Sequence, residues 1–276
     1  MKYIKKTMTY LFGNFWRVFL TLIPISVLCA FFVKPLTSVT SLYYITTEEF
    51  RNPKELIETL DFGGEWYYIF IYMGIVLLIS AFLSYAYITI YRHMRTGKIS
   101  IRTPFRYMNG GFITFVKIML CISLYIFLMQ LIISGVLALL NYVFWSLSFP
   151  YWIFRIIAYL LIIAVIIFSN YMLKTPLMMI FHMYVYGYGL MEAWSANGKL
   201  LDKKIILTMF FATLLPLLAI MAINFLCVLT PIAYWVEIIV RTVVYFFVFA
   251  YYMALAVIVM FDLCEIERRD IPLYRR

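Results

Sequence analysis

The sequence predicts an all-α integral membrane bundle of six transmembrane helices. Three observations support this prediction. Of the 276 residues, 66% are hydrophobic, and only 13% are charged, against about 25% in a typical soluble domain. The basic residues also collect on one side of long apolar runs. This composition excludes a soluble globular domain, an intrinsically disordered chain and a nucleic-acid-binding domain, although the net charge is +10.

Each predicted span is an apolar run long enough to cross a bilayer, which takes about 20 helical residues. The runs are 15–33, 66–91, 112–145, 151–173, 205–229 and 232–261. The first has Arg17 near its start and Pro24 inside, and it lacks a following small-x-small cleavage pattern, so we expect a retained helix. The third would measure about 51 Å as one helix. It must therefore tilt, kink near Ser134-Gly135 or extend into the cytosol.

The distribution of basic residues orients the spans. Lys34, Arg51, Lys54, Arg155 and Arg241 fall on one side, and the other lysines and arginines fall on the opposite side. The positive-inside rule places the more basic side in the cytoplasm, and both termini with it. We therefore expect a multi-pass plasma-membrane protein. The lack of an N-x-[ST] glycosylation sequence agrees with a bacterial source.

The external loop 34–65 is acidic and is predicted to contain a short amphipathic helix. Asn52-Pro53 supplies a helix start and Gly63-Gly64 a stop. Such a helix would lie at the outer membrane surface. Its carboxylates would capture a cation or a cationic peptide, or they would simply keep a cap over the bundle solvated.

The cytoplasmic loop 92–111 is rich in arginine and lysine. Thr103-Pro104 predicts a helix start and Gly110-Gly111 a stop. Basic side chains at this face set the topology, and they also attract anionic lipid headgroups. Membrane lipids are therefore expected partners, and nucleic acid is not.

The segment 174–204 is predicted to be cytoplasmic or interfacial. Pro176 is expected to end the fourth span, and the apolar stretch 177–188 is too short to cross the membrane. This stretch would lie at the interface or pack under the bundle. A short amphipathic helix would follow, with a break at Asn197-Gly198 before the fifth span.

Parts of the chain resemble bacterial multi-span proteins similar to the membrane domain of glycerophosphodiester phosphodiesterases, together with related uncharacterised families. The matching stretches are 11–17, 105–115, the string Glu192-Ala193-Trp194-Ser195 and the string 200–204. The catalytic activity of that family belongs to a separate soluble domain. The resemblance therefore implies a membrane module and not an esterase.

The same region resembles the coupling helix of importer-type ABC permeases. Glu192, Ala193 and Gly198 match that pattern, whereas Trp194 replaces its second alanine and Leu215-Pro216 follows later than the pattern requires. The resemblance implies docking of a partner through 187–204. The candidate docking residues are therefore Glu192, Ala193, Trp194 and Gly198.

Polar groups inside the predicted spans are few. Gln130 and Asn224 lie deepest, and they would either line a substrate path or hydrogen-bond to neighbouring helices. Arg155, Glu237 and Arg241 lie near the outer face, where they would form a gate or a neutralised charge network.

The sequence carries no recognisable enzyme motif. It lacks GxSxG, HExxH and P-loop patterns, and its cysteines form no CxxC pair, so we expect no cofactor and no metal site. His182 with Glu192 could support acid–base chemistry on a lipid headgroup, although a lone interfacial histidine is more often a bystander.

These features favour a non-enzymatic membrane protein that serves as an accessory or assembly module of a membrane complex or transport process. The alternative is a permease for a lipid or an amphipathic substrate, which would include an ABC-type transmembrane subunit coupled through 187–204. A third reading is an interfacial lipid enzyme that depends on His182.

Overall fold

A computed structural model describes residues 2–18, 22–32, 68–98, 102–147, 150–200, 203–229 and 234–270. Within these ranges the chain is helical and contains no strand. The helices are α1 (Lys2–Val18), α2 (Ile23–Phe32), α3 (Tyr68–Thr96), α4 (Arg102–Ser146), α5 (Tyr151–Tyr186), α6 (Leu190–Leu200), α7 (Lys203–Leu229) and α8 (Tyr234–Leu263).

Four of the described helices are long and apolar enough to cross a membrane. The stretches are Met73–Thr96, Trp152–Tyr186, Lys204–Ile223 and Tyr234–Leu263, in α3, α5, α7 and α8. The all-helical class is therefore confirmed for the described residues, and the four long apolar helices are consistent with a membrane protein. Helix α4 adds the shorter apolar stretches Gly110–Tyr125 and Gly135–Phe144 to these four.

Helix α8 is the centre of the fold. It packs against α1, α2, α3, α5 and α7. Every residue from 250 to 261 is buried, and near this end Tyr91, Phe181 and Phe261 meet edge to face with ring centroids 5.6–6.3 Å apart. The main core therefore lies where α3, α5 and α8 end. The other half of the bundle leaves many large apolar side chains exposed, as lipid contact requires.

The predicted first span is divided between two helices. Helix α1 includes Phe15 and ends at Val18, with non-helical backbone angles at Asn14, and α2 begins at Ile23. Helix α2 packs along α8, and the ring of Phe31 contacts that of Trp235 at 6.4 Å. The external loop 34–65, with its predicted amphipathic helix, lies outside the described residues.

Two predicted helix breaks are wrong because packing overrides the local signal. Helix α5 continues through Pro176 and ends at Gly187, whose φ of 70° is the left-handed cap that glycine favours. Helix α4 continues through Gly110-Gly111. A Cβ atom at Gly111 would lie 2.7 Å from Cδ1 of Ile88, so this glycine permits the close approach of α3 and α4.

The predicted break at Asn197-Gly198 is also wrong. Both residues lie inside α6. The side chain of Asn197 is buried, and its Nδ2 donates to the carbonyl oxygen of Thr175 at 3.4 Å. A side chain that packs against α5 in this way holds the helix across a sequence that would favour a turn in isolation.

Pro216 lies inside α7, where it removes one backbone donor. Tyr252 of α8 donates its hydroxyl to the carbonyl of Thr213 at 2.8 Å, and Asn170 of α5 donates to the carbonyl of Phe210 at 2.9 Å. Neighbouring helices thus satisfy carbonyls close to the proline, as an apolar environment demands. These polar groups join helices to one another.

Two glycines give a matched test of how the C-terminal segment packs. Gly97 and Gly187 have φ of 71° and 70°. A Cβ at Gly97 would lie 2.8 Å from the carbonyl oxygen of Arg269, whereas a Cβ at Gly187 would meet nothing within 4 Å. Gly187→Ala should cost about 1 kcal/mol for the left-handed backbone alone. Gly97→Ala should cost more, because it also displaces the Arg269 backbone. The N–H of Arg269 donates to the carbonyl oxygen of Met94 at 2.8 Å.

Thermal unfolding in detergent should therefore rank the wild type above Gly187→Ala, and Gly187→Ala above Gly97→Ala. Gly13→Ala, where an added Cβ meets nothing within 4 Å, serves as the control for a helical glycine in open space. Equal losses at Gly97 and Gly187 would contradict the packing of the C-terminal segment against α3.

Candidate functional site

The candidate site is built on α6, a short helix that packs against α5. Gly189 precedes it, and the Gly189 N–H donates to Oε2 of Glu192 at 2.8 Å. This is the reciprocal half of a capping box, which stabilises the start of a helix. Ala193 and Asn197, four residues apart, are the buried residues of α6. The helix is therefore fixed at its first turn and along one face.

The four predicted docking residues fall on three faces of α6. Ala193 belongs to the packed face. Glu192 caps the helix and faces a groove. Trp194 and Gly198 are exposed and lie beside Met191. Met191 is 80% exposed and Trp194 55% exposed. We call Met191, Trp194 and Gly198 the docking face.

A groove of about 890 Å³ opens beside the docking face. Glu192, Ser195 and Lys199 line it from one face of α6, since residues three, four and seven apart lie above one another on a helix. The end of α5 and the segment after it form the opposite wall with His182, Tyr186 and Tyr188. The structure thus brings His182 and Glu192 into one groove, although ten residues separate them in sequence.

Three rings of the groove wall stack on one another. The ring centroids of His182, Tyr186 and Tyr188 lie 5.6–6.1 Å apart, with interplanar angles of 6–29°. His182 is only 2% exposed, and within the described part of the chain neither of its ring nitrogens has a hydrogen-bond partner. A buried imidazole without partners is costly, and burial lowers the pKa of His182, which favours the neutral ring.

A polar cluster fixes α1 to the end of α8. Lys6 donates to both carboxylate oxygens of Asp262 at 2.7 and 2.9 Å, and Lys2 lies 3.1 Å from the same carboxylate. The hydrogen bond and charge of Asp262 raise the pKa of Lys2 above its usual value. The hydroxyl of Tyr10 and Nδ1 of His93 lie 2.9 Å apart. Burial raises the pKa of Tyr10 well above its usual value, so this hydroxyl stays protonated.

The predicted outer charge network is placed in part. Glu237 and Arg241 form an ion pair across one turn of α8, and both side chains are half-buried. Arg155 lies in the second turn of α5, also half-buried. Gln130 lies on α4 and Asn224 on α7, but their side chains lie outside the described part of the structure.

Lys174 is a buried residue whose burial the sequence does not indicate. It lies inside α5 and is only 4% exposed. Its Nζ is 3.2 Å from the ring centroid of Tyr171 and has no hydrogen-bond partner among the described residues. The sequence predicts a helix end at Pro176, so the burial of Lys174 becomes evident only once α5 is seen to continue through this proline.

Metal binding finds no support in the described ranges, because no group of three or more His, Cys, Asp or Glu side chains there could hold an ion. Comparisons with protein-family models, with curated proteins and with solved structures return no match. The resemblances seen in the sequence therefore stay predictions.

Lys174 supplies a test of the packed core. Replacing Lys174 by Met removes a buried ammonium that lies over the Tyr171 ring and has no hydrogen-bond partner among the described residues. The methionine keeps a flexible side chain able to contact that ring. Because an uncompensated buried charge is costly, Lys174→Met should raise the free energy of unfolding by roughly 1 kcal/mol or more. Thermal unfolding in detergent measures this. The exposed Lys204→Met is the control and should change stability by less than about 0.5 kcal/mol. Destabilisation by Lys174→Met would contradict the assigned burial.

Proposed function

We propose that this chain is a non-enzymatic accessory or assembly module in a bacterial plasma membrane, and that it docks a protein partner through the docking face of α6. It crosses the membrane six times with both termini in the cytoplasm. The four long apolar helices support the proposal, together with the concentration of lysine and arginine on one side. The remaining two spans are the segment 15–33, which includes α2, and helix α4.

The length of α5 is the main observation that supports the docking proposal. Helix α5 has 36 residues, which corresponds to about 54 Å, whereas the hydrocarbon core is roughly 30 Å thick. Its last turns pack against α8 and, through aromatic rings such as Tyr91 and Phe181, against the end of α3, so the excess length is a packed extension. With the amino-terminal end of α5 at the outer face, this extension reaches the cytoplasmic side and presents α6 there.

The exposed side chains of α6 indicate the chemistry of the partner. Trp194 and Met191 project from a helix whose opposite face is fixed by Ala193 and Asn197. A rigidly held tryptophan with a flexible methionine beside it is typical of an anchor that enters an apolar pocket of another protein. Gly198 leaves room for the partner backbone to approach. Basic residues of the segment 92–111, at the end of α3 and the start of α4, would bind anionic lipid headgroups at the same face.

Photo-crosslinking tests the docking proposal. A photoreactive phenylalanine analogue replaces Trp194, and in a matched chain it replaces Trp235, a tryptophan at the opposite end of the bundle that is 66% exposed. Irradiation in cells should give a discrete protein adduct from position 194 and only lipid adducts from position 235. Met191→Ala should reduce the adduct at position 194 about tenfold, since it removes a neighbouring contact of the anchor.

The identity of the adduct defines the role. A membrane-complex subunit supports the accessory role, whereas a nucleotide-binding subunit makes the chain the membrane subunit of a transporter. Lipid adducts alone at position 194 would overturn the docking proposal.

A further inference from the structure

Helix α1 has one face that the described part of the chain leaves uncovered. Tyr3, Thr7, Tyr10 and Leu11 are buried, and this side of α1 packs mainly against α8. The opposite side is exposed, and its residues recur at helical spacing. They are Lys2, Lys5, Thr9, Phe12 and Gly13. We call these residues the α1 face.

Contacts at both ends of α8 fix the course of the amino-terminal segment. Lys6 donates to the Asp262 carboxylate at the carboxyl end of α8, and Phe31 of α2 contacts Trp235 at its amino end. Helices α1 and α2 both pack against α8. The segment therefore runs alongside α8 and not beneath the bundle, so the α1 face points sideways, towards the surrounding bilayer.

The α1 face has a cationic part and an apolar part. Lys2 and Lys5 lie at its amino-terminal end, and Phe12 lies about 10.5 Å beyond Lys5 along the helix axis. The side chain of Lys2 is 66% exposed, and Phe12 is 70% exposed. The polar layer of a bilayer leaflet is about 5–8 Å thick, so lysines at headgroup level place Phe12 among the acyl chains. A Cβ added at Gly13 would meet nothing within 4 Å, which leaves room for an acyl chain beside Phe12.

The positive charge of the α1 face is only partly neutralised. The Asp262 carboxylate lies 3.1 Å from Lys2 and 2.7 Å from Lys6. Lys5 has no ion pair among the described residues, so one carboxylate stands against three ammonium groups. The first turn of α1 contains no acidic residue, so the positive end of the helix dipole adds to the lysines.

The carboxyl-terminal segment beside α1 does not reverse this balance. Residues 264–270 carry three acidic and two basic side chains. The exposed Lys98 follows Gly97, which packs against the Arg269 backbone, and its charge brings the sum to zero. The α1 face therefore keeps its excess positive charge and attracts an anionic bilayer surface. Each basic side chain near such a surface strengthens binding about fivefold.

We propose that the α1 face binds an anionic lipid of the cytoplasmic leaflet and selects it by charge. The ammonium groups of Lys2 and Lys5 contact the headgroup, and an acyl chain lies along Phe12 and Gly13. The assignment to the cytoplasmic leaflet rests on the proposed function, which places the amino terminus on that side, whereas the binding itself does not. Because charge alone is recognised, phosphatidylserine and phosphatidylglycerol should bind alike, and phosphatidylcholine should bind less.

Quenching by spin-labelled lipids measures this selection locally. In the full chain with its four native cysteines replaced by serine, a cysteine at Thr9 carries an environment-sensitive fluorophore. A matched chain carries it at Trp235, which is 66% exposed at the other end of α8, where Glu237 and Arg241 pair with each other. Nanodiscs of phosphatidylcholine contain a small fraction of phosphatidylserine, phosphatidylglycerol or phosphatidylcholine with a doxyl label at the same acyl carbon.

Both labelled anionic lipids should quench position 9 about fivefold or more above labelled phosphatidylcholine, and all three lipids should quench position 235 alike. The two leaflets of a nanodisc have the same composition, so the result does not depend on which side α1 faces. Equal quenching of position 9 by the three lipids would overturn the proposal. Absence of quenching there would do the same, because the α1 face would then meet water or a protein. A preference for only one of the anionic lipids would overturn selection by charge.

Charge variants separate lipid binding from folding. Lys2→Gln combined with Lys5→Gln should bring quenching by anionic lipids close to that by phosphatidylcholine, while Lys6 still holds Asp262. Lys2→Arg combined with Lys5→Arg keeps both charges and should leave the selectivity unchanged. Unchanged selectivity in the glutamine variant would overturn the assignment to these lysines. All of these changes lie outside α6, so this test and the docking test fail separately.

Discussion

Burial of the carboxyl-terminal half of α8 is the interaction on which the rest of the structure depends. Five other helices pack against α8, and its residues 250–261 have no exposed member. Ala250, Ala254 and Ala256 are fully buried, and small residues of this kind let neighbouring helices approach closely. Tyr91 and Phe181 then fill the space around Phe261. Packing is densest at this end, and many large apolar side chains elsewhere in the bundle are exposed.

The site follows from this core. Because α5 packs against α8 and α3 beyond Pro176, it continues as a helix as far as Gly187. Gly187 ends the helix in a left-handed cap, and Glu192 then caps α6, so the turn between the two helices is stabilised on both sides. One helix thereby serves three surfaces: a packed face, an exposed docking face and a groove wall. This arrangement explains why the short helix α6, which lies outside the long apolar runs, holds most of the candidate site residues.

Much of this fold could be predicted from hydropathy. Backbone polar groups inside a membrane must be hydrogen-bonded within the segment, so a long apolar run predicts a helix. The spans 66–91, 151–173, 205–229 and 232–261 correspond to long apolar helices in the structure. Local break signals failed at Pro176, Gly111 and Asn197, where neighbouring helices supply packing that a sequence does not display. The groove could not be predicted for the same reason, since His182 and Glu192 line one groove only because α5 continues to Gly187 and α6 packs against it. The burial of Lys174 has the same origin.

The proposed topology is tested most directly by finding which side of the membrane α6 faces. Single cysteines replace Met191 or Trp235 in a chain whose four native cysteines are serine, and a membrane-impermeant maleimide is applied to intact cells and to inverted vesicles. If α6 lies on the cytoplasmic side, position 191 reacts only in inverted vesicles and position 235 only in intact cells. Labelling of position 191 in intact cells, or labelling of both positions from the same side, would contradict it.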